Sequence, residues 1–276
     1  MIKFEDVSFK YNNSKNYILE NLNLQINEGE LTSIIGKNGT GKSTFLNLIS
    51  GIVKPSKGNI LIDNINTKSK KQFIDLRKKI GVVFQNPDNQ ILFPNVYEDM
   101  EFALKNLEID NRSLRIKDAL EQVNMEGFEN FDTYELSLGQ KQRINIASIL
   151  AVKPKYIFLD EPTTMIDSIE KENIYNCLLK LKKEGYTIVF VTNNINEILL
   201  SDKIYILNNK QIQYIIPKDK ILENIKTLEE CNIKIPDILE IILSLKENNI
   251  NVNLKDWTIS EMISEIIRVC KNEEYI

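Results

Sequence analysis

Histidine is absent from all 276 residues. Neither imidazole acid/base chemistry near neutral pH nor the commonest metal ligand can come from this chain. Any catalysis must rest on carboxylates, lysines, amides, hydroxyls and a metal ion. Cysteine is scarce: Cys177, Cys231 and Cys270 lie far apart, form no CxxC or ligand pattern, and their odd number argues for reduced thiols. There is no basic excess either. The net charge is −4 with the signs mixed throughout, which argues against nucleic acid as a partner. No apolar run approaches the ~20 residues that cross a bilayer. Met1 leads at once into strand-like residues 2–7, so no signal peptide is expected. A role at a membrane would have to come through another protein.

What is present is organised around residues 31–51, LTSIIGKNGTGKSTFLNLISG. An apolar strand leads into Gly36, Lys37, Asn38, Gly39, Thr40, Gly41, Lys42 and Ser43, and a helix follows from Thr44. This is the GxxxxGK[ST] pattern in the strand-loop-helix setting it requires. Glycines let successive N–H groups turn onto a phosphate, and the helix start adds its positive dipole end. Lys42 is expected to reach the β- and γ-phosphates of a nucleoside triphosphate, with the Ser43 hydroxyl on Mg²⁺. Further on, residues 156–159 form an apolar strand that ends in Asp160 and Glu161. At the C-terminal edge of a parallel sheet such a pair lies beside the phosphate loop. Asp160 can then hold Mg²⁺, and Glu161 can polarise the attacking water.

Around these motifs, strands are expected at 4–9, 22–26, 31–35, 59–63, 80–84, 156–159, 187–191, 203–207 and 211–216. Helical periodicity marks 44–49, 68–79, 96–107, 114–123, 138–150 and 168–184. The alternation predicts an α/β fold with a largely parallel, doubly wound sheet spanning residues 1–216, interrupted by a mainly helical insertion at about 88–150. From Pro217 to the end, short amphipathic helices at 220–227, 235–246 and 260–269 are too few to bury much surface alone. They are expected to pack on the main domain or on a second subunit.

One further stretch makes the pattern specific. Leu136-Ser137-Leu138-Gly139-Gln140, continued by Lys141-Gln142-Arg143, is similar to the LSGGQ signature of the ATP-binding cassette ATPases, the nucleotide-binding subunits of ABC transporters. The resemblance implies a P-loop NTPase of the ABC ATPase type with ATP and Mg²⁺ as cofactors. It implies that Ser137, Gly139 and Gln140 close over ATP held by a facing cassette subunit. It also implies that Tyr11 stacks on adenine, that Gln85 contacts Mg²⁺ and the water, and that Asp167 belongs to the loop communicating between two sites. Residues 84–90, FQNPDNQ, resemble the energy-coupling factor ATPases, cassette subunits of importers for vitamins and for cobalt or nickel. The tail, with Asn232-Ile233-Lys234-Ile235-Pro236, Leu245 and the 254–267 stretch, resembles that subfamily's subunit-contact extension.

The resemblance places the chain peripherally on the cytoplasmic face of the membrane, with a second cassette, a transmembrane coupling protein and a substrate-binding membrane protein as partners. Two positions depart from the pattern. Asn193 stands where the family has a histidine that contacts the γ-phosphate, and Leu138 stands where the signature has glycine. An amide can donate a hydrogen bond but carries no charge, so weakened hydrolysis is expected at this chain's own site. Pairing with a non-identical cassette is expected, a homodimer being the alternative. A degenerate, mainly regulatory nucleotide site is the alternative function. Soluble cassettes acting on DNA or ribosomes typically carry long coiled coils or a second fused cassette, neither of which is present.

Overall fold

The computed structural model describes residues 1–12, 14–254 and 257–272. Expected features that include Asn13, Lys255, Asp256 or residues 273–276 lie partly outside the described residues. In chain order the first elements are β1 (Ile2–Phe9), β2 (Leu19–Ile26), β3 (Leu31–Ile35), α1 (Lys42–Ile49), β4 (Lys57–Ile62), β5 (Ile65–Asn66), α2 (Phe73–Lys79) and β6 (Ile80–Val83). Three helices follow, α3 (Val96–Asn106), α4 (Arg112–Gln122) and α5 (Leu138–Val152). The chain then forms β7 (Tyr156–Asp160), α6 (Ser168–Lys183), β8 (Thr187–Val191), α7 (Ile195–Leu200), β9 (Lys203–Asn208) and β10 (Gln211–Pro217). The tail holds α8 (Ile225–Glu230), α9 (Asp237–Glu247) and α10 (Ile259–Asn272).

The strands divide between two sheets. Six form a sheet in the order β10-β9-β3-β8-β7-β6, parallel except for the antiparallel edge strand β10. The others form a separate antiparallel sheet, β2-β1-β4-β5. The single doubly wound sheet expected from the sequence is corrected to this extent. The reason is visible residue by residue. All five residues of β3 and of β8 are buried, as strands covered on both faces must be. In β2, Leu22, Leu24 and Ile26 are buried while Asn21, Asn23 and Gln25 face water, the alternation of a sheet with one wet face.

The apolar faces meet in three clusters. One lies between the two sheets and α1 and includes Phe4, Phe45, Ile60 and Phe158, with Phe4 and Phe45 stacked at 5.0 Å. A second joins α3 to α6 with the main sheet through Met100, Leu120, Ile146, Leu159 and Leu178. The third packs the tail onto the main domain: Ile35, Ile206 and Ile216 share one cluster with Leu228, Leu239 and Met262. Each such side chain contributes roughly 1.5–3 kcal/mol on burial, so the tail is held by the sheet that carries the phosphate loop. The basic segment expected to be helical over 68–79 is helical only from Phe73. The residues before it are used in a turn, where Thr67 N donates to Ile60 O and Ser69 N to Asn66 O.

Candidate nucleotide and metal site

Strand β3 ends at Ile35, and residues 36–41 turn into α1. Gly36 is a close-approach glycine: a Cβ there would stand 2.3 Å from the Leu207 carbonyl oxygen and 2.8 Å from Thr40 Oγ1. Gly41 has φ 102°, a conformation glycine adopts without strain. The loop is thus a cradle of backbone with little side chain inside it. Lys42 lies folded over it, its Nζ donating to Gly36 O at 2.7 Å and Lys37 O at 3.3 Å. Burial lowers the Lys42 pKa, with Glu161 and Asp160 pulling the other way. A strong donor resting only on carbonyls is a cation ready for an anion. Tyr11 stands beside this helix start, half-exposed, with its hydroxyl 3.4 Å from Thr44 Oγ1 and its ring edge-on to Phe9.

Parallel strands bring the remaining groups to the same edge. Asp160 ends β7, next to β8 and one strand further from β3. The Ser43 side chain stands beside Asp160. Burial, together with the neighbouring Glu161, pushes Asp160 up to about 6. A carboxyl destabilised in this way gains from a nearby cation. Glu161 holds a left-handed backbone, φ 42°, pinned by its N–H to Val191 O at 2.8 Å. Non-glycine residues adopt that conformation at a cost and cluster at functional sites. Its Oε2 accepts from Gln85 Nε2 at 3.1 Å and from Thr164 Oγ1 at 3.3 Å. From β8, Asn193 reaches the phosphate loop, its Oδ1 accepting from Gly36 N at 3.4 Å.

Among the described residues no group of three or more carboxylate or cysteine side chains could hold a metal alone. Ser43, Asp160 and Gln85 offer one hydroxyl, one carboxylate and one amide oxygen. So sparse a set fits Mg²⁺, which keeps waters and takes phosphate oxygens as its other ligands. The signature residues lie elsewhere. Ser137 caps α5 in a reciprocal box with Gln140: Gln140 N donates to Ser137 Oγ at 3.2 Å and Ser137 N to Gln140 Oε1 at 2.9 Å. A Cβ on Gly139 would come within 2.4 Å of Glu170 Cγ. Glu170 in turn pairs with Arg143 at 2.9 Å, locking the starts of α5 and α6 together.

The sequence profile of the ABC transporter family matches residues 19–164. Over 97% of this chain and 99% of the relative, it is 34% identical to an energy-coupling factor transporter ATP-binding protein of Caldanaerobacter subterraneus. It is 36% identical to the corresponding protein of Methanocaldococcus jannaschii, over 99% of both. The chain belongs to the ABC transporter family, among the energy-coupling factor ATP-binding proteins. The fold agrees with cbiO1 from Clostridium perfringens, part of the ABC transporter complex cbiONQ, at a TM-score of 0.74, 33% identity, and 87% and 98% coverage of the two chains. A dimeric ATP-binding cassette bound to ADP and Pi gives 0.71 at 35% identity, covering 79% of this chain and 99% of that one.

Within this cassette, four polar residues behind the site escaped the sequence reading. Thr163, Tyr175, Asn194 and Glu197 are joined by hydrogen bonds of 2.5–3.2 Å, and burial pushes Glu197 up to about 7. A lone glutamate inside the apolar run INEILL was the available signal. Helix α7, six residues long, was too short for its periodicity to register.

Proposed function

We propose that this cassette binds ATP and Mg²⁺ on Gly36–Ser43 and hydrolyses the ATP to drive an energy-coupling factor importer. The observation that carries this is the convergence on one sheet edge of Lys42, Ser43, Asp160, Glu161 and Gln85, with Gln85 bonded to Glu161. Lys42 and the loop N–H groups hold the phosphates, while Ser43, Asp160 and Gln85 hold Mg²⁺. Mg²⁺ supplies charge neutralisation of the transferring phosphoryl oxygens. Glu161, oriented by Gln85 and Thr164, accepts the proton of the attacking water. Tyr11 stacks on the adenine. Ser137, Gly139 and Gln140 serve the ATP held by the facing subunit, since their own recorded partners are on α5 and α6.

Asn193 is the weak point of this chain's own site. Replacing a charged contact to the transition state by a neutral amide costs ~2–4 kcal/mol, roughly a hundredfold or more in rate. We therefore assign a non-identical cassette as partner, with one strong site and one weaker one.

No helix among the described residues is long and apolar enough to cross a membrane; coupling is assigned to a docked membrane protein. An apolar groove of about 540 Å³, lined by Phe73, Ile74, Phe84, Leu92 and Phe102, suits that contact. Gln90 ties it to the site: its Oε1 accepts from Phe84 N and its Nε2 donates to Val82 O, both at 3.2 Å. One groove side chain is thus bonded to the strand end that precedes Gln85. The residues of the cassette do not touch the cargo, which a separate membrane protein would bind; vitamins, cobalt and nickel fit this reading equally. Purifying the tagged chain from membranes tests it. Co-purification of a second cassette and a membrane protein, with Mg²⁺-dependent ATPase, is expected; a solitary, inactive chain would refute it.

A further inference from the structure

The buried polar node behind the site joins three things that the hydrolytic residues do not join directly. Thr163 lies two residues after Glu161, Asn194 follows Asn193, and Tyr175 projects from the middle of α6. Thr163 and Glu197 are all but inaccessible and Tyr175 is 5% exposed. The directions of the hydrogen bonds follow from counting protons. Thr163 has one hydroxyl hydrogen and donates it to Glu197 Oε1 at 2.5 Å. Its 3.1 Å contact with the Tyr175 hydroxyl therefore has tyrosine as donor. Asn194 uses both ends of its amide. Its Oδ1 accepts from Asn196 N at 3.0 Å and caps α7, while its Nδ2 donates to Thr163 Oγ1 at 3.2 Å and Tyr175 Oη at 3.1 Å. Any change in the spacing of the Glu161 and Asn193 loops must break or move a bond to Tyr175.

The same tyrosine faces the tail. It lines a cavity of about 300 Å³ whose far wall is Trp257, Ile259 and Ile263 of the C-terminal extension, with Leu199 and Leu200 of α7 between. Trp257 is the sole tryptophan of the chain and is 6% exposed. A closely packed interior transmits small displacements rather than absorbing them. Helix α7 supplies that packed path: its Glu197 belongs to the node, and its Ile198 and Leu199 share one cluster with Trp257.

We propose that Tyr175 is a positioning residue that sets the spacing of the Glu161 and Asn193 loops through Thr163 and Asn194, and that α7, bonded into the same node, carries changes in that spacing to Trp257. This rests on ATP binding at the phosphate loop as proposed above. The test is a titration of the full chain with ATP and Mg²⁺, following tryptophan emission and heat of binding together. Tyr175→Phe keeps the ring in the cavity and removes the hydroxyl. Asn194→Asp keeps the cap of α7 and removes both donated bonds, so it serves if the first variant fails to fold. In the wild type the emission change should saturate with the heat. Each variant should reduce that change by about threefold or more with unaltered affinity. In the assembled complex Tyr175→Phe should lower turnover about tenfold at unchanged KM. Heat without an emission change in the wild type, or variants with the full change, would overturn the relay while leaving the nucleotide site intact. Absence of heat in the wild type would remove the proposed function, and the relay with it.

Discussion

Gln85 Nε2 donates to Glu161 Oε2 across 3.1 Å, joining the end of β6 to the end of β7. The two residues are 76 positions apart, and the three helices α3, α4 and α5 lie between them in sequence. Phe84, the neighbour of Gln85, lines the apolar groove, so this bond joins the proposed docking surface to the proposed base.

Glu161→Gln keeps a hydrogen-bonding side chain beside Gln85 but removes the base. Turnover at this site should fall by at least about a hundredfold, while ATP affinity is retained. Single-turnover hydrolysis and equilibrium binding, measured on the same preparation, check both halves.

Asn193→His restores a side chain able to carry charge next to Gly36, whose N–H it now engages at 3.4 Å. The rate at this chain's own site should rise roughly a hundredfold or more in the assembled complex. An unchanged rate would show that the amide already suffices.

Stability should depend on pH through Glu197. Its usual value is 4.5, and burial raises it to about 7. Below 4.5 it is protonated in both folded and unfolded chains and costs nothing. As pH rises towards 7, the unfolded chain releases the proton while the folded chain keeps it, so stability falls and then levels off. The loss is about 3 kcal/mol. No histidine titrates in this window, but Asp160, raised to about 6, loses stability over part of it, so the comparison is made against a variant that alters Glu197 alone. Denaturant melts of the wild type should weaken between pH 5 and 8 relative to Glu197→Gln, which keeps the acceptor for Thr163.

Gly139→Ala puts a methyl group 2.4 Å from Glu170 Cγ, on a side chain held by Arg143. It should destabilise the fold by about 1–3 kcal/mol, read as a lower melting temperature. Leu138, 39% exposed at the neighbouring position, should tolerate alanine without such a loss.

The elements most legible in the sequence were those fixed by local chemistry. The phosphate loop shows its glycines, and β3 and β8, mostly apolar and buried at every residue, begin and end where the sequence places them. Asp160 and Glu161 were legible because two carboxylates close an apolar strand. The separate antiparallel sheet was not, because alternation in β2 reveals a wet face but not which strands share it. The node of Thr163, Tyr175, Asn194 and Glu197 was not legible either. Each is a single polar residue, and its bonds span 12 to 34 positions. The extension had two possible partners in the sequence reading. The cluster shared by Ile35, Ile206 and Ile216 with Leu228, Leu239 and Met262 packs it on the main domain.

Calorimetric titration of the chain and of Lys42→Ala with ATP and Mg²⁺ tests the central claim most directly. The account predicts saturable binding by the wild type and affinity lower by at least about tenfold in the variant, which loses a charge-assisted phosphate contact. Equal affinity in the two proteins, or no binding by the wild type, would contradict it.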